Sequence, residues 1–405
     1  MREISDEALA ALTGDRADDR LLVTPWLDGE PTYDEPLPVE SWSVSWERSS
    51  QIQADVQLTI ADADGSLSPW AVDDVLGAGG PRVTCALRLG GVDEEIMLGQ
   101  YRIVQVDPSE AWVSAHRIAK VETLPGGQTQ TTYVDEPARW MSSGTVAVSA
   151  ADETWNVGEA EFLSPQAVQY KSSIMAEIEY LLEDILPVTF TPDVEDGTVP
   201  ASIAYEGNRL DALGSLTRAL GAAYRVTPDA QLEVYVPSSV PVWTIAPGED
   251  GVLIDFGRSY SASEFINTMV VEGKSSEDGV PLIGVARETD GPLRVDGPHG
   301  LVPARRQSDI LDTQTKVNRA ARTYLNTAIT DRAIVVPITC LPNPALEVGD
   351  TVRVETPVGD LAGPVESIRI SGGASGVNPM ELGVTVPFER FQTIGEALRR
   401  GRRYD

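Results

Sequence analysis

Residues 52–60, Ile-Gln-Ala-Asp-Val-Gln-Leu-Thr-Ile, alternate apolar and polar side chains without a break. Successive side chains of a strand point to opposite faces, so this run predicts a strand with one face on a core and the other in water. Parallel strands covered on both faces lose such alternation, so antiparallel pairing is expected. Similar β-rich runs occupy 82–89, 96–98 and 101–106, with Gly90-Gly91 as a hairpin turn, and further strands are expected over 111–124 and 131–148. A short helix over 6–13 precedes them, with Ser5 as its N-cap, acids in its first turn and Gly14 at its end.

The period changes near residue 165. Ile174, Ile178, Leu181, Leu182 and Ile185 recur at helical spacing over 173–186, and Pro187 stops that helix. A second helix is expected over 209–220, with Asn208 before it, Gly221 after it and a stripe of Leu210, Leu213, Leu216 and Leu220. Strands over 223–226 and 231–236 follow, and 237–247, with three prolines, forms a linker or a sheet edge. From 252 the chain is β-rich again: 268–272, a Gly/Pro-rich loop at 290–303, and strands over 333–340, 350–355, 365–370 and 380–386. One helix interrupts them over 315–325. The expectation is a mainly β, multidomain chain with an α+β insertion. Residues 1–150 form a β domain, 151–247 a small α/β domain, 248–392 a second β domain, and 393–405 a basic tail.

Charge narrows the function. The 405 residues hold 31 Lys plus Arg against 62 Asp plus Glu, a formal charge of −31. Such a surface repels nucleic-acid backbones and anionic membranes over a Debye length of roughly 8 Å, so specific DNA or RNA binding is disfavoured. Solubility is one use of that charge; a repulsive lining for a passing polyanion is another. Cys85 and Cys340 each sit in an apolar strand-like run and are expected to be free and buried, with no CxxC or Cys/His spacing around them. Residues 1–7 lack the features of a signal peptide, and no apolar stretch approaches ~18–20 residues, so cytoplasmic folding without a membrane span is expected.

Candidate chemistry is sparse. The two histidines are His116, in a strand-like run, and His299, in a Gly-Pro-His-Gly turn, and neither neighbours a nucleophile elbow. Paired carboxylates carry little weight where acids are so abundant. Asp62-Ala-Asp64-Gly65 resembles the opening of a calcium loop, but Leu67 stands where that loop needs glycine, so an Asp-Gly turn leaving a strand fits better. No phosphate-cradling glycine motif is present. No catalytic, metal or cofactor residue is therefore assigned, and no enzyme activity is expected. Most of the eight tryptophans lie in strand-like runs where core packing is the simpler use. The basic tail departs from the acidic background. A capping box at Thr393-Ile-Gly-Glu396 predicts a short helix, followed by Arg399, Arg400, Arg402 and Arg403. These arginines either stabilise a fraying helix end or contact an acidic neighbouring subunit.

Three blocks resemble one family. They are the leading helix 5–14, the block from Trp42 to Trp70 with its Asp-Ala-Asp-Gly-Ser-Leu-Ser-Pro turn, and Gly99-Gln-Tyr-Arg-Ile103. Together they resemble minor tail proteins of long-tailed phages, especially those of actinobacterial hosts. Residues 224–235 look like the small middle domain of tail-hub proteins, and 320–325 with 342–354 are similar to their closing β domain. The resemblance implies two tube-like β-barrel or sandwich domains per chain and a baseplate or tail-tip hub, most simply a homotrimer. It also implies tail-tube or distal-tail, tape-measure and receptor-binding or fibre proteins as partners, with genome DNA passing unbound. A distal tail ring protein is the alternative within that class. A carbohydrate-binding adhesin and a cell-wall hydrolase are alternatives outside it.

Overall fold

The computed structural model describes residues 1–13, 18–123, 125, 129–199, 204–249, 251–258, 265–275, 281–308, 311 and 313–401. The chain divides into two compact units. The first comprises Met1–Ser238 with Leu341–Gly349 and Ser367–Glu381; the second comprises Ser239–Cys340, Asp350–Glu366 and the chain from Leu382 onward. The fold is mainly β with several sheets, as the alternating runs imply.

The first unit opens with α1 (Asp6–Ala11), whose cap is Ser5: its hydroxyl accepts from the Ala8 amide at 3.1 Å. The main sheet is built from β1 (Arg20–Leu27), β2 (Glu30–Pro31), β3 (Val39–Glu47), β4 (Ala54–Asp62), β5 (Arg82–Arg88), β6 (Glu95–Val113) and β9 (Arg139–Ala151). Its order is β2-β1-β5-β6-β9-β4-β3, antiparallel throughout, and the last part of β22 (Leu361–Gly373) pairs outside β3. The alternation seen at 52–60 is the alternation of β4, where Ala54, Val56, Leu58 and Ile60 are buried and Asp55 and Gln57 are exposed. After it, Asp62 accepts from the Leu67 amide and the Ser68 hydroxyl, and Gly65 takes φ +77°, an Asp-Gly turn. Between β6 and β9 the chain continues as a two-stranded ribbon of β7 (His116–Thr123) and β8 (Thr129–Glu136).

The remainder of this unit is α/β. It contains α2 (Thr154–Glu159), β10 (Phe162–Ala167), α3 (Ile174–Leu182), β11 (Val188–Phe190), β12 (Ala204–Gly207), α4 (Arg209–Ala219), β13 (Ala223–Val226) and β14 (Leu232–Tyr235). The predicted stripes Ile174, Ile178, Leu181, Leu182 and Leu210, Leu213, Leu216 pack into one core with Leu232 and Val234 of the β11-β14-β13 sheet. Both helices carry side-chain caps, the one at Asn208 as expected. Ser173 Oγ accepts from the Ala176 amide and Asn208 Oδ1 from the Leu210 amide, at 3.0 and 2.7 Å. Helix α2 has no sequence signature: it is one turn and a half, with no side-chain cap and a glycine inside it. A two-residue strand, β23 (Gly376–Val377), folds back on β22.

The second unit contains β15 (Trp243–Ile245), β16 (Leu253–Phe256), β17 (Thr268–Ser275), β18 (Pro281–Arg287), β19 (Pro303–Gln307), α5 (Gln314–Thr330), β20 (Ala333–Cys340), β21 (Thr351–Val354), β24 (Met380–Pro387) and α6 (Phe388–Gly401). The proline-rich 237–247 stretch holds β15, which pairs parallel with β21, so of the linker and edge readings it is the edge. Helix α5 outruns its expected end at 325 because Ala328 and Ile329 still pack on the core of Met269, Val271, Val317, Ala321 and Leu325. It lies flush on β18 at Gly284, where an added Cβ would stand 2.7 Å from the Val317 carbonyl oxygen.

The loop 290–303 is ordered rather than loose. Asn267, fully buried, donates to the Leu293 and Gly300 carbonyls and accepts from the Val302 amide at 2.9 Å. The capping box at Thr393 is not a helix start. Helix α6 begins five residues earlier, its Phe388 amide donating to the Arg332 carbonyl, and Thr393 lies inside it with its hydroxyl bonded to Glu389 O at 2.9 Å. The stronger determinant is aromatic: Phe388 meets Phe265 at 4.8 Å between ring centroids and Phe391 meets Phe256 at 6.5 Å, which anchors the earlier turn.

Candidate functional site

The arginines of the tail divide. Arg399 and Arg400 project from the last turn of α6 and are exposed, with Arg400 reaching Glu396 one turn back at 3.4 Å. Arg402 and Arg403 lie outside the described residues. An exposed i,i+4 pair of this kind contributes a few tenths of a kcal/mol, about 0.3–0.5.

The histidines stand in unrelated settings. His116 opens β7 opposite Glu136, with 3.9 Å between Nε2 and the carboxylate, on a solvated ribbon. His299 sits in its turn with Nε2 2.9 Å from the Phe265 carbonyl oxygen, a loop-fixing contact. Both cysteines are free and buried as expected; burial pushes the Cys340 thiol up to about 12 and Cys85 higher. A thiol so disfavoured as thiolate is a packing group, not a nucleophile. Among the described residues, no three His, Cys, Asp or Glu side chains are gathered in a way that could hold a metal ion.

Ionic density concentrates at Glu347. This carboxylate, 9% exposed, receives the Met1 ammonium at 3.6 Å, Arg2 Nε at 3.3 Å and Arg225 at 3.2 Å. Arg225 also holds Glu233 at 2.7 Å and stacks 4.7 Å over the Tyr235 ring. Burial works against its charge, but Glu347 and Glu233 outweigh that and raise its pKa. Arg2 continues to the carbonyls of Met97, Leu98 and Pro344, so the network latches the chain start onto β6. Gly349 is obligatory beside it: its φ is +88°, and a Cβ there would lie 2.0 Å from the Tyr235 hydroxyl. Glu347 is buried and its partners are half-buried and paired with it, so the arrangement is a structural clasp rather than a site awaiting a ligand.

The most unusual surface is aromatic. Trp112 and Trp140 face each other across β6 and β9 with ring centroids 5.7 Å apart, and Trp70 meets Trp140 edge-on at 6.3 Å. The three are 56%, 55% and 75% exposed, so at Trp112 and Trp140, both in strand-like runs, core packing does not hold. The strand periodicity was right; what failed was the assumption that the ribbon still had a core beneath it there. Beyond the pair, Val134 is exposed opposite Ile118 on the same face, while Tyr133 and Val121 are exposed on the other. Isolated exposed apolar residues are ordinary; three tryptophans in contact with one another and more than half exposed are not.

No family model matches the sequence, and none of the curated proteins matches it. Solved structures do. Over 90% of this chain and 96% of the other, the fold is similar to the tail protein from Neisseria meningitidis MC58, with a TM-score of 0.55 at 12% identity. It is likewise similar to the 43 kDa tail protein of prophage MuSo2 from Shewanella oneidensis, with a TM-score of 0.54 at 10% identity over 90% and 98% of the two chains. The chain therefore shares its fold with these two tail proteins over nine-tenths of its length.

Proposed function

We propose that this protein is a structural component of a phage tail: the hub ring of the tail tip or baseplate, most simply a homotrimer. It links the tail tube or distal tail ring to receptor-binding or fibre proteins and surrounds the channel through which the genome leaves. It is assembled in the host cytoplasm and resides at the distal end of the virion tail. The observation that carries this reading is the fold, shared with two tail proteins over 90% of the chain. The formal charge of −31 supports it, since copies closed around an axis would present an acidic wall along which a polyanion slides without adsorbing. On this reading the chain performs no catalysis. The buried clasp at Glu347 and the buried thiols serve packing, and the histidines serve their local strand and turn.

Immunogold electron microscopy of particles carrying a tagged copy tests the placement. Label at the far end of the tail, on a density of threefold symmetry, is expected. Label elsewhere on the particle, or only in lysate, would overturn it. A sixfold ring would instead favour the distal tail protein.

A further inference from the structure

We propose that the recess between Gln53, Asp152 and the Glu347 clasp is a binding site for one internal water molecule, which ties the start of β4 and the end of β9 to that clasp. Gln53 immediately precedes β4 and is 5% exposed. Its backbone amide donates to the Thr154 hydroxyl at 3.2 Å, and its side-chain Nε2 donates to the Tyr224 carbonyl at 3.1 Å. The bond to Tyr224 settles which end of the side-chain amide is the oxygen. That oxygen, Oε1, is buried and has no hydrogen-bond partner among the described residues. A buried acceptor costs free energy unless a donor reaches it.

The space beside Gln53 suits such a donor. Gln53, Asp152, Arg2, Arg225 and Glu347 line a recess with about 20 Å³ of room for the centre of a water-sized molecule. One water needs roughly 10–15 Å³ of such room and about two to four polar partners. The lining supplies those partners. A water that donates to Gln53 Oε1 keeps a second proton for Asp152 or Glu347 and lone pairs for Arg2 or Arg225. Asp152 already accepts from the Thr154 amide at 3.0 Å, and a carboxylate has acceptor capacity beyond that. Arg225 engages Glu233 through Nε and Nη2 and Glu347 through Nη1, which leaves N–H donors over. Charge selects water over an ion. Two guanidiniums in the wall oppose a cation and two carboxylates oppose an anion, whereas a neutral dipole meets neither penalty. Size excludes anything much larger.

The test is crystallography of the full chain, wild type and Gln53→Met, at a resolution that shows ordered waters. Wild-type crystals should show a single peak in the recess, about 2.7–3.2 Å from Gln53 Oε1 and from at least one of Asp152, Glu347, Arg2 and Arg225. Gln53→Met keeps the length and bulk of the side chain but offers no acceptor for a water proton, so the peak should vanish or fall to a small fraction of its wild-type occupancy. The wild-type density decides the matter even where that variant fails to fold. A wild-type recess without density, or a peak of unchanged strength in Gln53→Met, would overturn the site. A peak with oxygen contacts of about 2.3–2.6 Å would mark a bound cation instead and would equally overturn it.

Discussion

The lower and upper parts of one hairpin follow opposite rules. From Ile96 to Ile103, β6 turns its apolar side chains to the core: Ile96, Leu98, Tyr101 and Ile103 are buried, Ala150 of β9 is buried across from Ile103, and Val148 and Val146 are buried opposite Val106 and Pro108. Past the irregularity between Pro108 and Glu110, the same two strands keep pairing, residue for residue, to Val113↔Arg139, and β7 and β8 continue the register from His116↔Glu136. Yet there the large apolar side chains, Trp112, Trp140, Tyr133 and Val121, are exposed. Backbone pairing therefore does not require a core; hydrogen bonds and cross-strand pairs can carry a ribbon outward, but burial energy cannot follow it. The lower part, the base, should govern monomer stability, and the upper part, the arm, should contribute little to it.

The clasp that fastens the chain start to β6 gives the sharpest contrast. Glu347→Ala leaves Arg225 and Arg2 without their shared carboxylate. Removing one partner of a buried ionic group typically costs about 3–5 kcal/mol. Urea unfolding should show that loss with an unchanged slope. A variant within 1 kcal/mol of wild type would mean that water or other acids replace the carboxylate, and the clasp would be decorative.

Ile103→Ala probes the same base through packing. The side chain is fully buried opposite Ala150, where little can collapse into the space. A loss of about 2–4 kcal/mol is expected from transfer and cavity terms together. Its oligomeric state at temperatures where it stays folded should match wild type.

Much of the base was legible from pattern alone, and the arm was not. Alternation at 52–60 and 82–89 located β4 and β5, because period is a backbone property that survives with or without a core; the run expected over 131–148 is divided between β8 and β9. The same alternation at Trp112 and Trp140 carries no sign of which face is covered, since burial is decided by what the rest of the chain places there. Helix caps at Ser5 and Asn208 were readable because a cap is satisfied within three residues. Asn267, Glu347 and the early start of α6 were not, because their partners lie far away in sequence or on other elements. The tail arginines stood out by charge, but a run of like charges names no partner.

Asp152 terminates the base of the ribbon, directly after β9, and sharpens the contrast through pH. Burial raises its pKa to about 7, against the opposing effect of hydrogen bonds from the Thr154 hydroxyl and amide. An acid whose folded pKa lies above its unfolded value near 3.8 binds a proton in the folded state that the unfolded state has released. Between about pH 4 and pH 7, stability therefore falls as pH rises, by at most roughly 1.4 kcal/mol per unit from this group. Asp152→Asn keeps an acceptor for the Thr154 amide and removes that slope. Melting temperatures from pH 4 to pH 8 should converge at the acid end and favour the variant by on the order of 2 kcal/mol at the alkaline end. Parallel curves would show that the carboxylate titrates normally.

Within the arm, the facing Trp112 and Trp140 should couple to each other and to little else. Edge-to-face aromatic pairs contribute about 0.5–1.5 kcal/mol beyond their area. A double-mutant cycle with serine at both positions, followed by exchange of the ribbon amides, is expected to give a coupling in that range, while the amides of β4 stay unchanged. Coupling that propagates to β4 would mean that base and arm form one cooperative unit.

The smallest effect is the most diagnostic. Tyr133 is 67% exposed and lies across from Ala119, far from the buried base. Tyr133→Ser should shift monomer unfolding by less than about 0.5 kcal/mol, the usual range for surface changes. A melting transition lowered by several degrees at a concentration where the chain is monomeric would place Tyr133 against a surface of its own copy, and the ribbon could no longer be treated as a free arm. An unchanged monomer would instead show that side chains past the core contribute almost nothing to its folding, which is the division between the two ends of the hairpin stated in energetic terms.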